Sequence, residues 1–169
     1  CIDLDYCAAA STAGDPDEWI EKFTINGQEF TTGFNNGYLA PVSASGINLR
    51  RSVPYAISIE PGFSGTAYTE YSRVWIDLDQ SGTFEVSEML YDQGTPSTTM
   101  ANGTITIPMA ATLGSTRMRV QMAYRGAGQN TAPGVCASFQ WGEVEDYCVT
   151  ILPHDLNIES TEMIHVNVY

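Results

Sequence analysis

Residues 77 to 88 read Asp77-Leu78-Asp79-Gln80-Ser81-Gly82-Thr83-Phe84-Glu85-Val86-Ser87-Glu88, with oxygen-bearing side chains at the first, third, fifth and twelfth places and glycine at the sixth. A hard dication of the calcium type takes about six to eight oxygens, so a chain that binds one folds tightly, turns at a glycine and closes with a two-oxygen carboxylate. By that spacing the ligands are Asp77, Asp79, Ser81, the carbonyl of Thr83, Glu85 through a water, and Glu88. Ser81 stands where Asp or Asn is usual, which lowers the charge of the loop. The alternative is a solvated acidic hairpin with no ion.

A second set of chemical residues lies at Glu143, Glu145 and Asp146, which read with Arg117 and Arg119. In a strand Glu143 and Glu145 share one face, and the two arginines share a face of their own, so cross-strand ion pairs between them are the simplest account. Glu145 or Asp146 reaching a metal is the alternative. Two carboxylates about 5 to 9 Å apart across a sugar could also hydrolyse a glycoside, but a salt-bridge or metal role already accounts for these acids. The only imidazoles, His154 and His165, sit in the C-terminal tail, so a Ser-His-Asp triad is not credible. No phosphate-binding glycine loop and no HExxH motif is present. The sequence therefore indicates a module that binds or connects and is not an enzyme.

The elements that position these residues read as strands. Val74-Trp75-Ile76, just before the acidic loop, is β-branched and aromatic, so the loop is expected as an ion clip in a β-hairpin and not as an EF-hand between helices. Phe23-Thr24-Ile25 meets the hairpin signal Asn26-Gly27, Tyr55 to Ile59 alternates up to Pro61-Gly62, and Thr104 to Ile107 follows Asn102-Gly103. Met118, Val120 and Met122 share one face of a strand whose other face shows Arg117, Arg119 and Gln121, and Tyr147 to Ile151 is the last strand of the domain. Asp15-Pro16-Asp17-Glu18 can open a helical turn; otherwise Trp19 to Ile25 is an edge strand. Stretches 30–46 and 125–134 read as long loops. The expected fold is all-β, an antiparallel two-sheet sandwich with a calcium-binding hairpin loop.

Twenty Asp and Glu against seven Lys and Arg give a net charge of −13, which repels nucleic acid and anionic membranes. No apolar run is long enough to span a bilayer, and with no charged head and apolar stretch at Cys1 any signal peptide is expected to have been removed. Cys1, Cys7, Cys136 and Cys148 are spaced unlike a zinc site and point to disulfides, hence to an oxidising compartment. Three pairings are open. Cys7 with Cys136 and Cys1 with Cys148 is preferred, because each bridge would close a very long loop. The sandwich is assigned to residues 1–152, and residues 153–169 to an extra strand or a linker. The ending Val166-Asn167-Val168-Tyr169 resembles the lead-in to a type 9 sorting domain.

Trp141-Gly142-Glu143-Val144-Glu145-Asp146-Tyr147 contains the string that names the GEVED domain. Tyr6-Cys7, Glu18-Trp19-Ile20, Gly37-Tyr38, the run from Val74 to Phe84, Thr116 to Val120 and Cys136 stand in the order that family shows. The chain resembles it over about residues 6 to 151. Where the family tends to have Trp-Asn-Gln-Asp-Gly, this chain has Leu78-Asp79-Gln80-Ser81-Gly82. The resemblance implies a β-sandwich module appended to secreted multi-domain bacterial proteins, among them proteases, polysaccharide-degrading enzymes and adhesins. Read with the long loops and the three Trp, nine Tyr and six Phe, it leads to a monomeric, non-catalytic, calcium-stabilised carbohydrate-binding module at the cell surface. Its partner would be a polysaccharide. The alternative is a structural or protein-interaction module without a glycan. Trp19, Trp75 and Trp141 are expected to be packed, and Tyr38, Tyr68, Tyr71 and Tyr124 to be exposed.

Overall fold

The computed structural model describes residues 4–13, 17–126 and 132–155, with backbone alone over 43–45. Among the described residues nine strands form two sheets. One has the order β2-β1-β4-β7, from Gln28–Thr31, Glu18–Ile25, Pro54–Phe63 and Ala101–Thr106. The other has the order β3-β9-β8-β5-β6, from Tyr38–Arg50, Gly142–Leu152, Gly114–Tyr124, Glu70–Ile76 and Met89–Asp92. All pairings are antiparallel except β3 with β9. Among the described residues no helix is long and apolar enough to cross a membrane.

The sheets face each other across one apolar layer. Ile20, Phe23 and Ile25 of β1 and Ile57 and Ile59 of β4 meet Val74 and Ile76 of β5, Met118, Val120 and Met122 of β8, and Tyr147, Val149 and Ile151 of β9. Alternation explains this layer, since successive strand residues point to opposite faces and one face of each strand is apolar. Phe23 and Phe30 both lean on the Tyr147 ring, with centroids 5.3 and 5.2 Å away.

Local signals held where turn chemistry was decisive. Asn26 and Gly27 adopt φ of 51° and 75°, a two-residue turn that joins β1 to β2. Several expectations are corrected. The stretch 30–46, read as loop, contains most of β3, whose pairing with β9 slips on either side of Val42. Those slips tolerate Pro41 and Gly46, which argue against a strand in sequence. Trp19 to Ile25 is not an edge strand, because β1 lies between β2 and β4 and β2 forms the edge. β4 continues through Pro61-Gly62, where a Cβ on Gly62 would collide with the Trp19 indole. β7 likewise runs through Asn102-Gly103, because the Tyr91 ring lies where a side chain at 103 would be. Glu18 opens a strand and not a helical turn; residues 14–16 and the possible strand over 156–169 lie outside the described residues.

The outer face of the five-stranded sheet is covered by residues 4–13 and 132–140. Cys7 and Cys136 form a disulfide across 129 residues, and Thr12 N–H donates to the Phe139 carbonyl while Phe139 N–H donates to that of Ala10. Cys148 is also disulfide-bonded, but the Cys1 end of the expected second bridge lies outside the described residues. Arg119, 1% exposed, holds this cover in place. Its guanidinium donates two bonds to Asp146, at 2.8 and 2.9 Å, and one each to the carbonyls of Cys7 and Val135, both at 3.0 Å.

Candidate functional site

The acidic loop leaves β5 at Ile76 and returns to it as β6. Asp77, Asp79 and Glu88 each place a carboxylate oxygen within 4.8 Å of the others. Backbone amides organise all three, Asp79 accepting from Ser81 N–H at 3.0 Å. Asp77 accepts from Ser81 N–H at 3.1 Å and Gly82 N–H at 3.0 Å, and Glu88 from Leu78 N–H at 2.6 Å and Glu85 N–H at 3.0 Å. Gln80 and Gly82 take φ of 62° and 85°, so the tight turn falls where the sequence places its glycine. Ser81, Thr83 and Glu85 form a separate hydroxyl–carboxylate chain on the exposed rim: Ser81 Oγ is 2.9 Å from Thr83 Oγ1, which donates to Glu85. Val86–Glu88 makes one 3₁₀ turn that turns Glu88 inward.

Asp77 is fully buried, and Tyr6 from the N-terminal segment donates its hydroxyl to it at 2.6 Å. The Tyr6 ring packs on Phe84 and lies 4.2 Å from the Arg117 guanidinium carbon. Burial raises the Glu88 carboxyl to about 7. Buried carboxylates drawn this close are costly unless a cation or protons compensate. The donor set is all oxygen, as a hard dication requires, and three acids with a neighbouring hydroxyl rim fit one.

The signature acids do something else. The expected pairing of Arg117 and Arg119 with Glu143 and Glu145 does not occur, because the register sets Arg119 opposite Asp146 and leaves Glu143 opposite Met122 and Glu145 opposite Val120. Both glutamates therefore face the sandwich interior at 0% exposure. Glu143 accepts from Ile20 N–H at 2.9 Å and Asn35 N–H at 2.6 Å, while Glu145 accepts from Thr32 and, at 2.6 Å, from the Tyr147 hydroxyl. Burial raises each to about 7. Asp146 faces outward to Arg119 and accepts from Tyr38 at 3.0 Å. The string thus alternates inward staples for segment 32–35 with an outward anchor for the cover. None of its acids belongs to the loop's acid cluster.

A cavity of about 200 Å³ opens at the pole opposite the acidic loop, lined by Asp17, Glu18, Tyr68, Tyr124 and Trp141. The rings meet edge to face, Tyr68 with Tyr124 at 5.8 Å and Tyr124 with Trp141 at 5.7 Å. Tyr68 is 41% exposed and Trp141 half-buried, so Trp141 is presented and not simply packed. Trp75 is buried, as expected. Tyr38 and Tyr71 instead bond Asp146 and Asp92. Glu18, raised to about 7 by burial and by Asp17, and Glu70, raised to about 8 by burial and by Glu18, lie at this end. Sequence reading missed both. A signal existed for Glu70, which alternates with Ser72, Val74 and Ile76 on the core-facing side of β5; for Glu18 the register shift between Ile20 and Lys22 breaks the phase.

Residues 71–150 match the profile of the GEVED domain, in agreement with the resemblance read from the sequence. No curated protein matches the chain. Among solved structures, a Niemann-Pick type C2 protein from Japanese carpenter ant aligns over 88% of this chain and 99% of that one, at 8% identity and a TM-score of 0.45, a likeness too distant to carry an argument about function.

Proposed function

We propose that this GEVED-type β-sandwich is a non-catalytic carbohydrate-binding module, braced by a structural calcium ion and appended to an exported enzyme or adhesin. The observation that carries the glycan reading is the cavity walled by Tyr68, Tyr124 and Trp141 with Asp17 and Glu18 at its rim. Aromatic faces pack on the C–H faces of a pyranose, and carboxylates accept from its hydroxyls. The cavity lies at the opposite pole from the acidic loop, so binding and bracing would be separate tasks. Asp77, Asp79 and Glu88, with Ser81, Thr83 and Glu85 completing the shell, would hold the ion, which neutralises the buried acids and fixes the β5–β6 turn.

The Cys7–Cys136 bridge supports an oxidising compartment. Affinity electrophoresis against a panel of soluble polysaccharides tests the function. Retardation by at least one glycan, lost in Trp141→Ala with an unchanged melt, is the expected result. Free migration across the panel would leave a spacer or protein-interaction module.

A further inference from the structure

A second cavity, of about 310 Å³, lies between the five-stranded sheet and its cover. Arg117 and Arg119 of β8 and Tyr38 of β3 line it from the sheet, while Tyr6, Ser138 and the stretch from Cys7 to Ala10 line it from the cover. It shares no lining residue with the aromatic cavity and is independent of the glycan reading.

The acceptors around this space are already taken. Asp146 holds two Arg119 bonds and the Tyr38 hydroxyl, the carbonyls of Cys7 and Val135 hold the remaining Arg119 donor, and Asp77 holds the Tyr6 hydroxyl. Arg117 is left over. Its Nη1 lies 3.8 Å from Asp146 Oδ2, too far for a hydrogen bond, and its Nε is buried with no acceptor. Among the described residues none of its nitrogens donates a hydrogen bond. The Tyr6 ring, 4.2 Å from its central carbon, covers one face of the guanidinium, which leaves the edge where the N–H groups point. Arg117 itself lines the cavity, and its side chain keeps 14% exposure, so a molecule in the cavity reaches it.

A guanidinium carries five donors and no acceptor, so a ligand that completes it must accept. Two guanidiniums meet one carboxylate here, because among the described residues Arg117 and Arg119 form ion pairs with Asp146 alone. A carboxylate group brings acceptors only, one negative charge, and a planar two-oxygen edge that matches the guanidinium fork. A phosphate dianion would set a second charge against Asp146, acidic polymers are repelled by the net charge of −13, and a neutral amide would leave the surplus cation unpaired. Ala8 to Ala10 and the rings of Tyr6 and Tyr38 supply apolar walls, and the volume is near the roughly 300 Å³ at which small-molecule pockets begin. Both suit a short apolar acid.

We propose that this cavity binds a small organic monocarboxylate, its oxygens accepting from Arg117 and its apolar body lying against Ala8 to Ala10 and the rings of Tyr6 and Tyr38.

The test is calorimetry of the whole chain at neutral pH, in calcium and moderate salt, with hexanoate, neutral hexanamide, inorganic phosphate and the sugar acid glucuronate. Hexanoate should bind, and the other three should bind at least about tenfold more weakly. Arg117→Gln should lower the hexanoate affinity at least about tenfold, whereas Arg50→Gln at the exposed end of β3, with the same change in net charge, should not. Binding of hexanamide, phosphate or glucuronate as tight as that of hexanoate overturns the proposal, as does an equal loss in Arg50→Gln or no binding of hexanoate at millimolar concentration. Should Arg117→Gln melt well below the parent, the Arg117 Nε–H resonance of the ¹⁵N-labelled parent takes its place. It should move on addition of hexanoate and not of hexanamide, and a signal that stays still overturns the proposal.

Discussion

Arg119 and Asp146 form the interaction on which the cover of the five-stranded sheet depends. Two parallel bonds join guanidinium and carboxylate, and the remaining donor satisfies the carbonyls of Cys7 and Val135 on either side of the disulfide. Asp146→Ala leaves a buried cation unpaired, so it should destabilise the fold by about 3–5 kcal/mol in urea unfolding; a loss below about 1 kcal/mol would show that solvent already reaches the pair. Arg119→Lys keeps the charge and loses the fork, and should fall between parent and Asp146→Ala. The type of Asp146 was legible in the sequence but its partner was not. Alternation places Arg119 and Asp146 each on a face, whereas only the pairing register decides which residue stands opposite which.

At the scale of the element, the β5–β6 turn is organised by acids that accept backbone amides and converge on one point. If that point holds calcium, excess EDTA should lower the melting temperature, since an ion at about a hundred times its Kd contributes about 2.7 kcal/mol. Asp77→Ala should melt lower than the parent and show no response to calcium or EDTA. An identical calcium-dependent shift in parent and variant would dismiss the assignment. The loop was readable because a twelve-residue turn is local and its donors and glycine are fixed by spacing. β3 was not, because its stability comes from long-range parallel pairing with β9 and from slips that absorb Pro41 and Gly46.

Across the whole molecule, buried acids set the expected response to pH. Glu18, Glu143 and Glu145 at about 7 and Glu70 at about 8 are all raised by burial. A carboxyl raised above its unfolded value favours the folded state when protonated. Their contribution is full below about 4.5 and lost as pH climbs through 7 to 8. With calcium saturating throughout, the melting temperature should be higher near pH 5 than near pH 8, and the quadruple Gln variant at these positions should flatten that slope. An unchanged slope would mean that other groups set it. Reduction of the Cys7–Cys136 bridge should cost about 4 to 5 kcal/mol, because it frees a loop of 129 residues. The amino-acid sequence alone determined the all-β class, the acidic loop and the family resemblance, because alternation, turn chemistry and motif spacing are local or compositional. Only the tertiary structure decided, among the open cysteine pairings, that Cys7 bonds to Cys136, that Glu143 and Glu145 face inward as staples, and that Glu18 and Glu70, far apart in the chain, come within electrostatic reach of each other. Which strand lies beside which, and in what register, depends on closing long loops around one shared core, and no stretch of sequence states that by itself.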